Sequence, residues 1–341
     1  AEDVIDWLAS RDWCSGSVGM RGISWGGINS LQVASRKPPA LKAIMAIGTT
    51  DNRYTDDAHY VGGALGHTNF QWGLAFKGVM AGPPDPIISG PHWEKKWLER
   101  LEATPAIIAR WLSHQTLDEY WRRGSIAISD DAIDVPTYVV GGWQDTYSNP
   151  VGRLLETLNV PRKGLVGPWG HTYPYSATPL GLDWKTEEVR WWYHWLKGEN
   201  TGIMDEPMFR AFMPYATASE SLPQRIPGRW ISESHWPSRD SQQLIFHINQ
   251  SGLKPFADDE VDTTVSGGLD IGQTKPEWLD RLPIEQSPDD MRSSVFDSLV
   301  LEDHVEVLGY PRARLRLKSN LPEAKIAVRM CEVSADGKSW L

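Results

Sequence analysis

The apolar positions along the chain fall into two rhythms, and each predicts a different kind of element. AEDVIDWLAS opens with Val4, Ile5 and Leu8 at helical spacing, which predicts an amphipathic helix. Ser17 to Ile23 (SVGMRGI) is a short apolar-rich run bounded by glycines, with helical material from Gly27 to Arg36 after it. LKAIMAIG, Leu41 to Gly48, is then a continuous apolar run of strand length. Such runs suit strands covered on both faces in a parallel sheet, and strand, helix, strand at this pitch is a βαβ signature. The same grammar returns with VPTYVVGG (Val135 to Gly142) as a strand and VGRLLETL as a helix with Val151, Leu154, Leu155 and Leu158 on one side. KGLVGPW (Lys163 to Trp169) follows as a strand, then a helix from Lys185 to Lys197 with Gly198 placed to cap it.

Between these groups, residues 51–131 are rich in Trp, Gly and Pro and carry helical stretches such as HWEKKWLERL and TLDEYWRR, the texture of a helical cap inserted into the core. Beyond about Pro214 the second rhythm begins. LIFHIN (Leu244 to Asn249), HVEVLG (His304 to Gly309) and ARLRLKS (Ala313 to Ser319) alternate between Pro, Gly and Asp clusters, which reads as an antiparallel sandwich or jelly roll. The expected organisation is an α/β core over 1–50 and 132–214, a cap over 51–131 and a β-sandwich over 215–341. The chain opens without Met inside a helix and stops at DGKSWL inside a predicted strand. The expectation is therefore a piece of a longer protein, with core and sandwich both incomplete.

Length and composition narrow the function. At 341 residues the chain exceeds the ~100–200 residues of one domain. Its 40% hydrophobic content is enough to bury sizeable cores. A formal charge of −10 with no dense basic run argues against nucleic acid as a partner. No apolar run approaches ~18 residues, so no membrane span is expected. Two cysteines, Cys14 and Cys331, in separate predicted domains do not make a disulfide framework; they fit a reducing, cytoplasmic setting without establishing it. No His or Cys pairing and no carboxylate cluster points to a metal, and no cofactor is implied. A homo-oligomer is compatible with all of this.

The strongest local signal is Gly22-Ile23-Ser24-Trp25-Gly26, a G-x-S-x-G between a predicted strand and a predicted helix. A nucleophile elbow needs that placement, with near side-chain-free residues two before and two after Ser24; Gly27 adds room for close packing. A serine hydroxyl needs a base, and the base an orienting anion, in the chain order Ser, acid, His for this kind of fold. Asp145 follows the strand VPTYVV in GGWQD, and His171 follows the strand KGLV in GPWGH. Both stand at strand ends, where open parallel sheets place their sites. The other histidines have no such context: His194 lies inside a helix, His59 and His67 in the cap, and His92, His114, His235, His247 and His304 lack partner patterns. Asp51, Asp56 and Asp57 follow the second strand and read either as substrate contacts or as a solvated loop cluster.

These segments resemble the CocE/NonD family of acyl esterases and Xaa-Pro dipeptidyl-peptidase-like hydrolases. WCSGSVGMRGISWGG resembles the family's nucleophile region, GGWQD its acid loop, and GPWGH its histidine loop. RWWYHWLKGENTGIMDEP resembles the helix and turn that follow, and GRWISESHWP the entry to a C-terminal jelly roll. The resemblance implies an α/β-hydrolase core with a helical cap and a C-terminal jelly-roll sandwich. By motif, Ser24 is the nucleophile, His171 the base and then acid, Asp145 its orienting partner, and the Trp25 N–H one oxyanion donor. The second donor in cocaine-esterase-like members, a tyrosine well before the elbow, has no counterpart here, and the family's strands ahead of the first helix are missing too. Asp57 resembles one member of the carboxylate cluster that holds a substrate amine in the α-amino-acid ester hydrolases. Thr146 and Tyr147, however, stand where further members would be. Trp72 and Tyr147 resemble aromatic pocket walls, or else plain core.

The resulting expectation is a serine hydrolase cleaving a small-molecule carboxylic ester through an acyl-enzyme. Amide cleavage, as Xaa-Pro dipeptide release or β-lactam side-chain removal, uses the same three residues. A different class of reading is an inactive fragment that serves binding or assembly, poorly soluble when expressed alone.

Overall fold

The computed structural model describes residues 1–341 apart from 129–132, 178–180, 216–225, 259–260, 267, 269, 273–284 and 341. Helix α1 (Glu2–Ala9) precedes β1 (Val18–Ile23), α2 (Trp25–Ser35) and β2 (Leu41–Ile47). A small hairpin of β3 (Tyr60–Val61) and β4 (Ala64–Leu65) follows. Helices α3 (Thr68–Ala81), α4 (Pro86–Ser89), α5 (Trp93–Ala103), α6 (Ile107–Leu112) and α7 (Glu119–Arg122) come next. The chain returns to the sheet with β5 (Thr137–Gly142), α8 (Asn149–Thr157), β6 (Arg162–Gly167), α9 (Trp184–Lys197), β7 (Phe209–Pro214) and β8 (Gly228–Glu233). Beyond it lie the hairpin of β9 (His247–Asn249) and β10 (Gly252–Lys254), the short α10 (Ser287–Asp290), and the pair β11 (Glu332–Val333) and β12 (Ser339–Trp340). The expected junction between cap and core, at 131–132, lies outside the described residues.

The main sheet has the order β1-β2-β5-β6-β7-β8, parallel except for β7–β8. β5 is buried along its whole length and β2 everywhere but Lys42. Their unbroken apolar runs are those of strands covered on both faces, and successive side chains go to opposite sides. Ile44, Ala46 and Val139 meet Leu31 and Ala34 of α2 and Leu154 and Leu155 of α8 on one face. Met45, Ile47 and Tyr138 meet Trp184 and Trp191 of α9 on the other. α9 starts where Asp183 accepts from the Thr186 N–H and ends at Gly198, whose φ of 71° is the left-handed cap the sequence calls for.

Three expectations change. In α1, Ile5 is buried and Leu8 half-buried but Val4 is 58% exposed, so Val4 does not share the face that the spacing gave it. The first six residues of GRWISESHWP, expected at the entry to the sandwich, pair antiparallel with β7 as the edge of the main sheet. Among the described residues, the jelly-roll alternation at 304–309 and 313–319 is not joined into ladders, and of LIFHIN only His247–Asn249 is strand. Alternation marks which side chains share a face, whereas a ladder needs a second strand in register, which is a long-range condition.

Candidate active site

β1, β5 and β6 run parallel, so the residues that follow them emerge at one edge of the sheet. Ser24 follows β1 at once. Its φ of 59° and ψ of −122° put a non-glycine residue in sparsely populated backbone, at the sharp strand-to-helix turn that the G-x-S-x-G motif anticipates. The surroundings enforce that turn: the Ser24 N–H donates to the Ile47 carbonyl at 2.9 Å, and the Ser24 carbonyl accepts from Ile28 at 3.0 Å. Gly22 is obligatory, because a Cβ there would sit 2.3 Å from the Gly26 carbonyl carbon. A Cβ on Gly26 would meet only open space, so the elbow needs just one of its two glycines bare for steric reasons. Trp25 is the first residue of α2, its N–H in the unpaired first turn and its ring 38% exposed.

Asp145 and His171 reach one another from separate loops. His171 Nδ1 lies 2.8 Å from Asp145 Oδ2, with both side chains largely buried. A carboxylate offers only lone pairs, so Nδ1 carries the proton and Nε2 is the basic nitrogen. The two loops are stitched together by backbone: Trp143 N–H donates to Gly167 O at 2.9 Å and Gln144 N–H to Trp169 O at 3.1 Å. GGWQD and GPWGH are thus two sides of one structure, and Gly142 is required by it, because a Cβ there would sit 2.0 Å from the Trp169 carbonyl oxygen.

β1 and β6 stand three places apart in the sheet, about 14 Å at the usual spacing. The histidine loop closes that gap by folding over β5. Gly48, just past β2, shows this: with φ of 46°, a Cβ on it would be 2.9 Å from Asp145 Oδ2 and 3.2 Å from His171 Nδ1. Ile47 holds Ser24 by its carbonyl, and the next residue abuts the His171–Asp145 pair. Nothing in the sequence pattern singled out Gly48; only its position at the end of a predicted strand hinted at it.

Of the remaining expected site residues, Trp72 and Tyr147 pack together with Ala58. Tyr147 is buried, its ring centroid 5.8 Å from that of His171. Asp57 is also buried, and its carboxylate is fully engaged. Oδ1 accepts from the Ala58 N–H and the Tyr147 hydroxyl, each at 2.7 Å. Oδ2 faces Arg53 Nε at 2.8 Å and His59 Nδ1 at 2.9 Å. Burial pushes this carboxyl up, but the His59 hydrogen bond, the Arg53 charge and the Tyr147 hydroxyl outweigh it and hold it at about 2. Its neighbours form a second buried group, in which Arg153 bonds Asp51 and lies 2.8 Å from Asp56 Oδ2. Burial raises Asp56 to about 6, with Arg153 opposing and Asp51 and Asp57 adding to the rise. The loop aspartates are buried, not a solvated cluster. Arg53 stands four residues before Asp57 and His59 two after it, but loop residues have no periodicity that would pair them, so neither was singled out in the sequence.

A mostly parallel sheet with an elbow serine at its edge and a His–Asp pair from the neighbouring loops defines an α/β-hydrolase-like fold. The family model of X-Pro dipeptidyl-peptidase (S15 family) matches residues 1–173, and that of the X-Pro dipeptidyl-peptidase C-terminal non-catalytic domain matches residues 195–341. The chain belongs to this family. Cocaine esterase of Rhodococcus sp. (strain MB1 Bresler) is 25% identical over 99% of the chain and 66% of its own length. A putative Xaa-Pro dipeptidyl-peptidase of Bacillus anthracis is 24% identical over 69% of the chain and 38% of its own length. The chain therefore spans no more than 66% of these relatives. Among solved structures, a CocE/NonD family hydrolase from Staphylococcus aureus superposes with a TM-score of 0.56 at 18% identity, covering 75% of this chain and 41% of that one.

Proposed function

We propose that this chain carries the site of a serine hydrolase that cleaves carboxylic esters through an acyl-enzyme. Ser24 attacks the carbonyl carbon, and His171 Nε2 takes the hydroxyl proton and returns it to the leaving group. Asp145 holds the imidazole in the right tautomer and stabilises its charged form. The Trp25 N–H, at the start of α2, faces the developing oxyanion. Water then repeats the sequence and releases the acid. The observation that carries this reading is the His171–Asp145 hydrogen bond of 2.8 Å, set against the strand end that holds Ser24. A fluorophosphonate probe should label Ser24 in the intact protein, and Ser24→Ala should abolish labelling; unchanged labelling of that variant sinks the assignment.

Ester rather than amide is preferred because the esterase relative aligns over 99% of the chain. The S15 family match supports the second reading, release of Xaa-Pro dipeptides, which needs the same three residues. Rates on a p-nitrophenyl acyl ester and a Xaa-Pro anilide separate the two, and preference for the anilide reverses the order. Trp72 and Tyr147 form the wall of the acyl site in this reading. The proposal also includes the division into core (1–50 and 132–214, with β8 added as its edge strand), cap (51–131) and a β-sandwich in the chain beyond β8. The last is supported by the C-terminal family match and by the alternation at 304–319.

A further inference from the structure

Asp57 sits among donors that tie it to both halves of the proposed site. An ionised carboxylate has about four lone-pair positions. All four are taken here, by Ala58 N–H, Tyr147 hydroxyl, Arg53 Nε and His59 Nδ1. Its charge is balanced by the Arg53 guanidinium, and it is buried. A substrate ammonium could reach it only by displacing one of these partners.

What the partners touch is more telling. Tyr147, whose hydroxyl ends on Asp57, donates its backbone N–H to Asp145 Oδ1 at 3.1 Å and lies beside the His171 ring. Arg53, whose Nε ends on the other oxygen, lies over the Trp25 ring, Cζ 5.0 Å from its centroid. His59 meets the same indole edge-on at 6.4 Å. One carboxylate thus holds directly the residue that supports the acid of the His–Asp pair, and through Arg53 and His59 it reaches the ring of the residue that follows Ser24.

We propose that Asp57 is a positioning residue of the hydrolytic site, and not an amine-binding group: through Tyr147 it fixes Asp145, and through Arg53 and His59 it fixes Trp25. The proposal rests on the serine-hydrolase reading above. Its physical basis is that loops joined only at their strand ends would otherwise drift, and a misplacement of about 1 Å can cost on the order of 100-fold in rate.

The test uses the intact protein and the variants Asp57→Asn and Tyr147→Phe, the second keeping the ring and removing only the hydroxyl. Two substrates are compared, p-nitrophenyl butanoate, which is neutral, and the p-nitrophenyl ester of alanine, which carries an ammonium. The expected result is a fall in kcat of about 10- to 100-fold on both esters alike, with KM changed by no more than about twofold. The charged and titratable groups around the relay are His171, Asp145, Asp57, Arg53, His59 and Tyr147, with Asp56, Asp51 and Arg153 beside them. With Asp145 less well held, the imidazolium of His171 is less stabilised, so the low-pH limb of kcat/KM, which requires neutral His171, should move to lower pH. A purely structural role would lower Tm without moving that limb. A loss confined to KM for the alanine ester would make Asp57 an amine site and overturn the proposal, as would unchanged kcat in Tyr147→Phe, the decisive variant where Asp57→Asn does not fold. Absence of fluorophosphonate labelling at Ser24 in the unsubstituted protein is a separate outcome: it sinks the hydrolase reading, and this proposal with it.

Discussion

Gly48 illustrates how much of the site depends on an atom that is missing. With no side chain, it lets the His171–Asp145 pair lie directly on the end of β2. Gly48→Ala would push a methyl group between these residues and impose a left-handed backbone on a residue that disfavours it. We expect kcat to fall by about 10- to 100-fold while Ser24 remains reactive enough to be labelled slowly by a fluorophosphonate. A variant with the parental kcat would show that the pair tolerates displacement. GGWQD and GPWGH are legible in the sequence because their residue types and strand-end positions suffice to nominate Asp145 and His171. Gly48 is not, because a glycine ending a strand has many ordinary reasons to be there.

Among elements, α9 is attached to the sheet by a polar contact set in an apolar layer. The Tyr138 hydroxyl on β5 donates to Glu187 of α9, and Arg210 of β7 donates to the same carboxylate and, at 3.1 Å, to the Tyr138 oxygen. Burial, with the Glu187 charge, pushes the phenol well above its ordinary value, so it stays protonated and remains a donor. Tyr138→Phe leaves the buried Glu187 with one donor fewer, and a loss of about 1–3 kcal/mol is expected in urea unfolding. Stability equal to the parent would mean that Arg210 alone satisfies the carboxylate. The apolar rhythm identified β5 as a buried strand and α9 as a helix, but periodicity treats Tyr138 as one more apolar position. Its partners, 49 and 72 residues away, can be known only from the packing.

For the molecule as a whole, two of the three buried aspartates between β2 and α3, Asp56 and Asp57, give stability opposite dependences on pH. Asp56 holds its proton to about 6 when folded, against 3.8 ordinarily. Between those values the folded state binds more protons than the unfolded one, so stability falls as pH rises, by up to about 3 kcal/mol. Asp57, held at about 2, contributes stability that is present above 3.8 and lost as pH falls through 2. Asp56→Asn should therefore raise the urea midpoint at pH 7.5 and leave it nearly unchanged at pH 4. An equal shift at both values would show that the ionisation of Asp56 is not the cause.

The strands, the elbow and the strand-end positions of Asp145 and His171 were readable from the order of residues alone, because backbone sterics and side-chain periodicity act over a few neighbours. The role of Asp57 was not. Its partners include Tyr147, 90 residues on, and Asp51 meets Arg153 across 102 residues. Whether a buried carboxylate is free for a ligand depends on how many donors folding delivers to its four lone pairs. Arg53, Ala58 and His59 stand within four residues of Asp57, but the fourth donor, Tyr147, arrives only with the fold.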